Sequence, residues 1–340
     1  MIEHKESRYA ELLKRLDNLV TKYGDDRRTK LTQIDIVKDK KAHQKEEIPS
    51  EDVIVILTRK GEIKRVPRAN FKTQRRNTKG IKIIEDITVT VSTNTLCSVG
   101  LFSTFGKMYA IPVHKILAGT NSSRGMSLSS LIEMQPNESI TTMISFDKEI
   151  DDSYVFFFTK QGMIKKTALV EYKAIARKTG IQAIKLRGDD TVVNTIVGKD
   201  NDILIATEQG MAIRFNTTDI TATSRNTLGV KGLKLSPNDT VVAGLFADPQ
   251  SNILFITENG KGKRLVFSDV PLQGKGGKGV IIYKNHKIVA AVPVKEDDEV
   301  LVVGQSFSLC ITVKDIPIQH RTAQGVAIAK TDKIFLASKV

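Results

Sequence analysis

Short clusters of cationic and small residues recur along this chain, and their chemistry is that of anion contact. In order they read Gln74-Arg-Arg-Asn-Thr-Lys-Gly80, Asn121-Ser-Ser-Arg-Gly125, Arg177-Lys-Thr-Gly180, Arg225-Asn-Thr-Leu-Gly229 running on to Lys231, Gln273-Gly-Lys-Gly-Gly-Lys-Gly279 and His320-Arg-Thr-Ala-Gln-Gly325. An Arg fork or a Lys ammonium donates charge-assisted hydrogen bonds to phosphate oxygens. Small neighbours let backbone N–H groups approach the same anion. The candidate contacts are Gln74, Arg75, Arg76, Lys79, Gly80, Arg124, Arg177, Lys178, Arg225, Lys231, Lys275, Lys278 and Arg321.

Each cluster sits at a fixed distance from a turn. The turns are Thr58-Arg-Lys-Gly61, Ser103-Thr-Phe-Gly106, Thr159-Lys-Gln-Gly162, Thr207-Glu-Gln-Gly210 and Thr257-Glu-Asn-Gly260, with a degenerate sixth at Val303-Gly-Gln-Ser306. From turn to loop glycine the separations are 19, 19, 18, 19, 19 and 19 residues, while loop glycines follow one another at 45, 55, 49, 50 and 46. A constant inner and a variable outer spacing is the mark of rigid repeats with insertions between them. Glycine at both places is read as a tight turn needing positive φ.

The elements that must carry these loops are strands. Apolar runs such as Val53-Ile-Val-Ile-Leu57, Tyr154-Val-Phe-Phe-Phe158, Ile203-Leu-Ile-Ala206, Ile253-Leu-Phe-Ile256 and Val300-Leu-Val-Val303 alternate with turns and with strands rich in Lys and Arg. Units of this length with about four strands each predict propeller blades. The expected fold is all-β, a six-bladed propeller over residues 53–335, preceded by a short α-helical segment. That segment is 1–37, where Tyr9, Leu12, Leu13, Leu16, Leu19, Val20 and Tyr23 recur at helical spacing before Gly24. Residues 38–52 are charged and polar and read as a linker.

Formal net charge is +14, and residues 1–52 hold twelve charges of each sign, so the whole excess lies beyond them. Such a balance favours a polyanionic partner, nucleic acid before membrane. There is no Trp and aromatics make up 6%. Phe156, Phe157, Phe158 and Phe255 lie in apolar strands and read as core, so stacking on single strands is disfavoured. Phosphate contact and bending of duplex DNA with little sequence preference is the expected mode. Cys97 and Cys310 are expected in the core, in a reducing compartment. No secretory leader and no 18-residue apolar run is present, which reads as an intracellular protein away from membranes. Gly274 to Gly279 matches G-x-G-x-x-G, but a strand-like Val280-Ile-Ile-Tyr283 follows where a helix is required. The five histidines are dispersed, and the doublets Asp151-Asp152, Asp189-Asp190 and Asp297-Asp298 read as turn formers.

Gln74-Arg75-Arg76-Asn77-Thr78-Lys79-Gly80 resembles the basic box, Gln-Arg-Arg-Gly-Gly-Lys-Gly, of bacterial DNA gyrase A subunits, agreeing at five of seven positions in the first repeat. Residues 53–330 resemble the C-terminal β-pinwheel of gyrase A and topoisomerase IV A subunits, and residues 9–31, with Tyr23-Gly-Asp-Asp-Arg-Arg-Thr29, resemble the end of the preceding breakage–reunion domain. The resemblance implies a DNA-bending disc of a type IIA topoisomerase, in the bacterial cytoplasm at the nucleoid. The implied partners are double-stranded DNA, the breakage–reunion domain and the ATPase (B) subunit. No cofactor is implied for this chain; ATP and Mg²⁺ would act elsewhere in the holoenzyme. Asn77-Thr78 departs from the Gly-Gly of the box, and Gln273 to Gly279 keeps a box-like pattern, so gyrase and topoisomerase IV stay open. None of the six tyrosines stands in the family's cleavage motif, so no catalytic residue is expected here. The competing reading is a propeller scaffold whose basic loops meet an acidic protein.

Overall fold

A computed structural model describes residues 5–25, 48–70, 87–120, 123–146, 152–172, 177–246, 251–284, 286–304, 308–329 and 334–339. Two compact units divide the chain, 1–47 and 48–340. The described part of the first is one helix, α1 (Lys5–Tyr23), whose apolar stripe is exposed.

Among its described residues the second unit has 23 strands. They begin β1 (Asp52–Thr58), β2 (Glu62–Pro67), β3 (Ile87–Asn94), β4 (Ser98–Ser103), β5 (Lys107–Pro112), β6 (Met126–Ser127) and β7 (Ile140–Phe146). The middle of the chain gives β8 (Tyr154–Thr159), β9 (Met163–Ala168), β10 (Ile181–Gln182), β11 (Val192–Gly198), β12 (Asp202–Thr207), β13 (Met211–Asn216), β14 (Val230–Lys231) and β15 (Val241–Phe246). The last are β16 (Asn252–Thr257), β17 (Lys261–Val266), β18 (Val280–Ile281), β19 (Ile288–Val294), β20 (Glu299–Gly304), β21 (Ser308–Thr312), β22 (Val326–Ala327) and β23 (Ile334–Lys339).

They form five four-stranded antiparallel sheets, β3-β1-β2-β6, β7-β4-β5-β10, β11-β8-β9-β14, β15-β12-β13-β18 and β19-β16-β17-β22, and one three-stranded sheet, β21-β20-β23. The expected six blades are therefore corrected to five. The physical reason lies in the outermost strand. Met126–Ser127 pairs with Glu62 and Ile63 of the preceding repeat, and Val326–Ala327 pairs with Lys261 and Gly262 in the same way. Each four-stranded sheet is completed by a strand borrowed from the repeat that follows, and no described strand is lent to the sixth repeat. Among the described residues its sheet keeps three strands.

The apolar runs are buried on both faces, which is why they do not alternate. Phe157 packs with Phe102 and Tyr172 toward the second blade, while Phe156 and Phe158 pack with Ile203, Ile205 and Phe215 of the fourth. The rings of Phe102 and Phe157 meet edge to face at 5.4 Å. The core thus lies between blades. Strands β3, β7, β11, β15, β19 and β23 pack successively against one another, which sets them at the inner end of each sheet and the borrowed strands at the outer end.

The hairpins follow the Thr-x-x-Gly spacing. The Thr207 hydroxyl accepts from the Met211 amide at 3.1 Å, and Thr58, Thr159 and Thr257 repeat the bond. Gly210 turns at φ +83°, in the left-handed region. Its carbonyl accepts from the amides of Ile282 and Tyr283, just past the next repeat's loop.

Candidate nucleic-acid interface

Each described basic loop ends on the glycine that opens a borrowed strand: Gly125 before β6, Gly180 before β10, Gly229 before β14, Gly279 before β18 and Gly325 before β22. Sheet pairing therefore sets the five loops at equivalent points on the outer edges of successive blades. The loop glycines do not all serve one purpose. Gly279 and Gly325 have positive φ, whereas Gly125 does not. At Gly125 a Cβ would stand 2.9 Å from the Ile63 carbonyl oxygen, so close approach of two backbones requires the glycine.

On these loops Arg124, Arg177, Lys178, Lys231, Lys275 and Lys278 are exposed, and Arg225 and Arg321 are half-buried. Gln74, Arg75, Arg76, Lys79 and Gly80 lie outside the described residues. Loops three and four are brought side by side, where Arg177, Gln182, Ser224, Arg225 and Asn226 line a common groove with Glu171. Carboxylates stand behind two of the arginines. Arg124 Nε lies 2.6 Å from Glu62 Oε1, and Arg225 Nε lies 3.6 Å from Glu171 Oε2. Lys275 donates to the Asp219 carbonyl.

The cations of the strands behave differently from those of the loops. Lys64, Lys165, Lys166, Lys263 and Arg264 are buried. Lys166 donates to Asp200 at 2.7 Å and lies over the Tyr154 ring. Burial by itself would raise the Asp200 carboxyl, but hydrogen bonds from Lys166 and Thr217 outweigh it and hold the group below its usual value. Arg214 is bound by Asp202 at 2.7 Å and stacks over Phe267. The loop pattern in the sequence does not reveal the counter-charges Glu62 and Glu171. The signal was present for the strand lysines, since Thr-x-x-Gly-x-x-Lys ends at Lys64, Lys165 and Lys263 in alternate repeats. Asp190, read as a turn former, is buried and accepts from the Gln161 and Thr191 amides at 2.9 Å. Cys97 is buried as expected, but Cys310 is exposed on β21, the end strand of the three-stranded sheet. No helix among the described residues is long and apolar enough to cross a membrane.

The family model described as "DNA gyrase C-terminal domain, beta-propeller" matches residues 52–92, 153–199, 201–247, 251–303 and 311–333. The chain belongs to this gyrase C-terminal domain family. Within the family it is 32% identical over 307 residues to the DNA gyrase A protein of Borreliella burgdorferi, covering 87% of this chain and 38% of that one. It is 33% identical over 318 residues to the DNA gyrase A protein of Clostridium acetobutylicum, covering 88% and 37%. The chain thus spans little more than a third of the length of these relatives. Among solved structures, the C-terminal domain of DNA topoisomerase IV superposes with a TM-score of 0.76 at 25% identity, covering 86% of this chain and 94% of that one. The DNA gyrase A C-terminal domain gives 0.66 at 29% identity, covering 85% and 99%. The gyrase-family C-terminal domain is the noncatalytic part of a type IIA topoisomerase.

Proposed function

We propose that this domain binds duplex DNA along the outer edges of its blades and bends it there. The observation that carries this reading is the shared placement of the loops: each lies just before a borrowed outer strand, with Arg177, Arg225, Lys275 and Arg321 three or four residues before the loop glycine and Arg124 one residue before it. A cation at each edge can meet successive phosphates of one duplex, and phosphate contact without base contact leaves sequence unread. In the whole protein the bent segment is delivered to the breakage–reunion domain, with the ATPase partner driving strand passage. DNA cleavage belongs to that other domain.

The test is topological. A nicked plasmid is incubated with the chain, ligated and freed of protein, and its linking number is compared with a protein-free control. Wrapping shifts the distribution by a fixed amount per bound domain. An unshifted distribution at saturating protein overturns wrapping. Bending is read separately, as increased energy transfer between dyes at the ends of a short duplex, and no increase overturns it.

A further inference from the structure

Three lysines occupy the same strand position, three residues past the hairpin glycine, in the first, third and fifth blades. Lys64 and Lys165 are 1% exposed and Lys263 is 0% exposed, so none reaches the surface where DNA would lie. Their ammonium groups instead point at the backbone of the following repeat's basic loop. Lys64 Nζ donates to the Ser123 carbonyl at 2.7 Å, next to Arg124. Lys165 Nζ donates to the carbonyl of Arg225 itself and, at 2.8 Å, to that of Ala183. Lys263 Nζ donates to the carbonyls of Arg321 at 2.7 Å, Ala323 at 2.8 Å and His320 at 3.2 Å. In the second and fourth blades the equivalent residues are Tyr109 and Ile213, which pack against Gly180 and Gly277 of their loops.

We infer that Lys64, Lys165 and Lys263 are positioning residues for the DNA-facing loops, each fixing from beneath the backbone that aims an arginine at phosphate. The inference rests on the DNA-binding reading above. A buried ammonium must find acceptors to offset its desolvation, and loop carbonyls turned inward must find donors. Each need is met by the other, which ties the loop conformation to a charge in the blade. Loops two, four and six thereby receive hydrogen bonds from a buried ammonium, where loops three and five meet the side chains of Tyr109 and Ile213. Burial lowers the Lys165 and Lys263 ammonium groups to about 8, the mark of charge kept in a poor solvent.

The test uses the full chain carrying Lys263→Met or Lys165→Met, changes that keep the volume and remove the donors. In Lys263→Met the Ala323 and Gly325 amides should exchange with solvent roughly tenfold faster, while the Phe255 amide is unchanged. Duplex DNA should bind roughly fivefold more weakly per variant. The slope of log K against log[salt] should stay at its wild-type value, because no phosphate contact has been removed. Unchanged loop exchange in a folded variant overturns the inference, and so does unchanged affinity. A slope smaller by about 0.9 also overturns it, by making the lysine a direct contact. If the wild-type chain binds no DNA, the DNA reading falls and the positioning role with it, while the exchange data still judge the anchoring alone. Should a variant not fold, the unmutated protein labelled with ¹⁵N-lysine supplies the readout. Three slowly exchanging ammonium resonances are expected at neutral pH, where exposed ammonium groups exchange too fast to be seen, and their absence overturns the inference.

Discussion

Glu171 Oε2 lies 3.6 Å from Arg225 Nε, so a carboxylate stands against an arginine on the groove shared by loops three and four. Both side chains are partly exposed, and a pair of that kind contributes about 0–1 kcal/mol to stability. Its larger consequence is competition, since a phosphate reaching Arg225 must displace or share with Glu171.

Glu171→Gln is expected to tighten duplex DNA binding about two- to threefold at low salt, with little change in thermal stability. Fluorescence anisotropy on a labelled duplex measures it. Weaker binding by the glutamine variant would show that Glu171 orients Arg225 instead of competing for it.

Arg177→Ala and Arg321→Ala are each expected to lower the magnitude of the salt slope by about 0.9, from a wild-type value of about −5 to −9. The loss of affinity should be the same on unrelated duplexes, because phosphate contacts carry no sequence information. A loss confined to one sequence would mean base reading.

Gly210→Ala and Gly61→Ala test the hairpins as a pair. Both glycines have positive φ, +83° and +75°, and this alone costs an alanine about 1–2 kcal/mol. At Gly61 a Cβ meets nothing within 4 Å, whereas at Gly210 it would stand 2.1 Å from the Tyr283 carbonyl oxygen. Denaturant unfolding should place Gly210→Ala below Gly61→Ala by a further ~2 kcal/mol or more. Equal losses would mean that the loop past Gly279 yields freely.

Stability should rise with pH between about 8 and 10 and fall above that range. Burial lowers Lys165 and Lys263 to about 8, so the folded chain releases these protons while the unfolded chain holds them until near 10.5. Over that window the unfolded state binds more protons, and linkage makes folding more favourable as pH rises. The tyrosines act in the other direction. Burial pushes Tyr283 up to about 12 and Tyr109 and Tyr172 further still, so above about pH 10 only the unfolded state ionises. Unfolding midpoints across a pH series measure both limbs, and Lys263→Met should flatten the first. A steady decline from pH 8 to 10 would contradict it.

The repeats, the hairpins and the rank of cations along the chain were legible in the amino-acid order. Thr207-Glu-Gln-Gly210 and its copies encode local geometry, because a hydroxyl at one position and a positive φ three residues on suffice to close the turn. Phe156 to Phe158 announced a strand buried on both faces by failing to alternate. The partner of each loop was not legible. The constant spacing from Gly106 to Gly125 reads as one rigid unit, yet Gly125 packs on Ile63 of the preceding blade. Two-residue strands such as Met126–Ser127 are too short to carry a period, so tertiary pairing alone revealed the exchange that completes five blades and, among the described residues, gives the last sheet three strands. The same pairing turned Lys64, Lys165 and Lys263 inward while Arg124, Arg177 and Lys178 stayed outside. A cation's place on a strand or a loop is local, but whether it meets solvent or a carbonyl depends on what the next repeat lays across it.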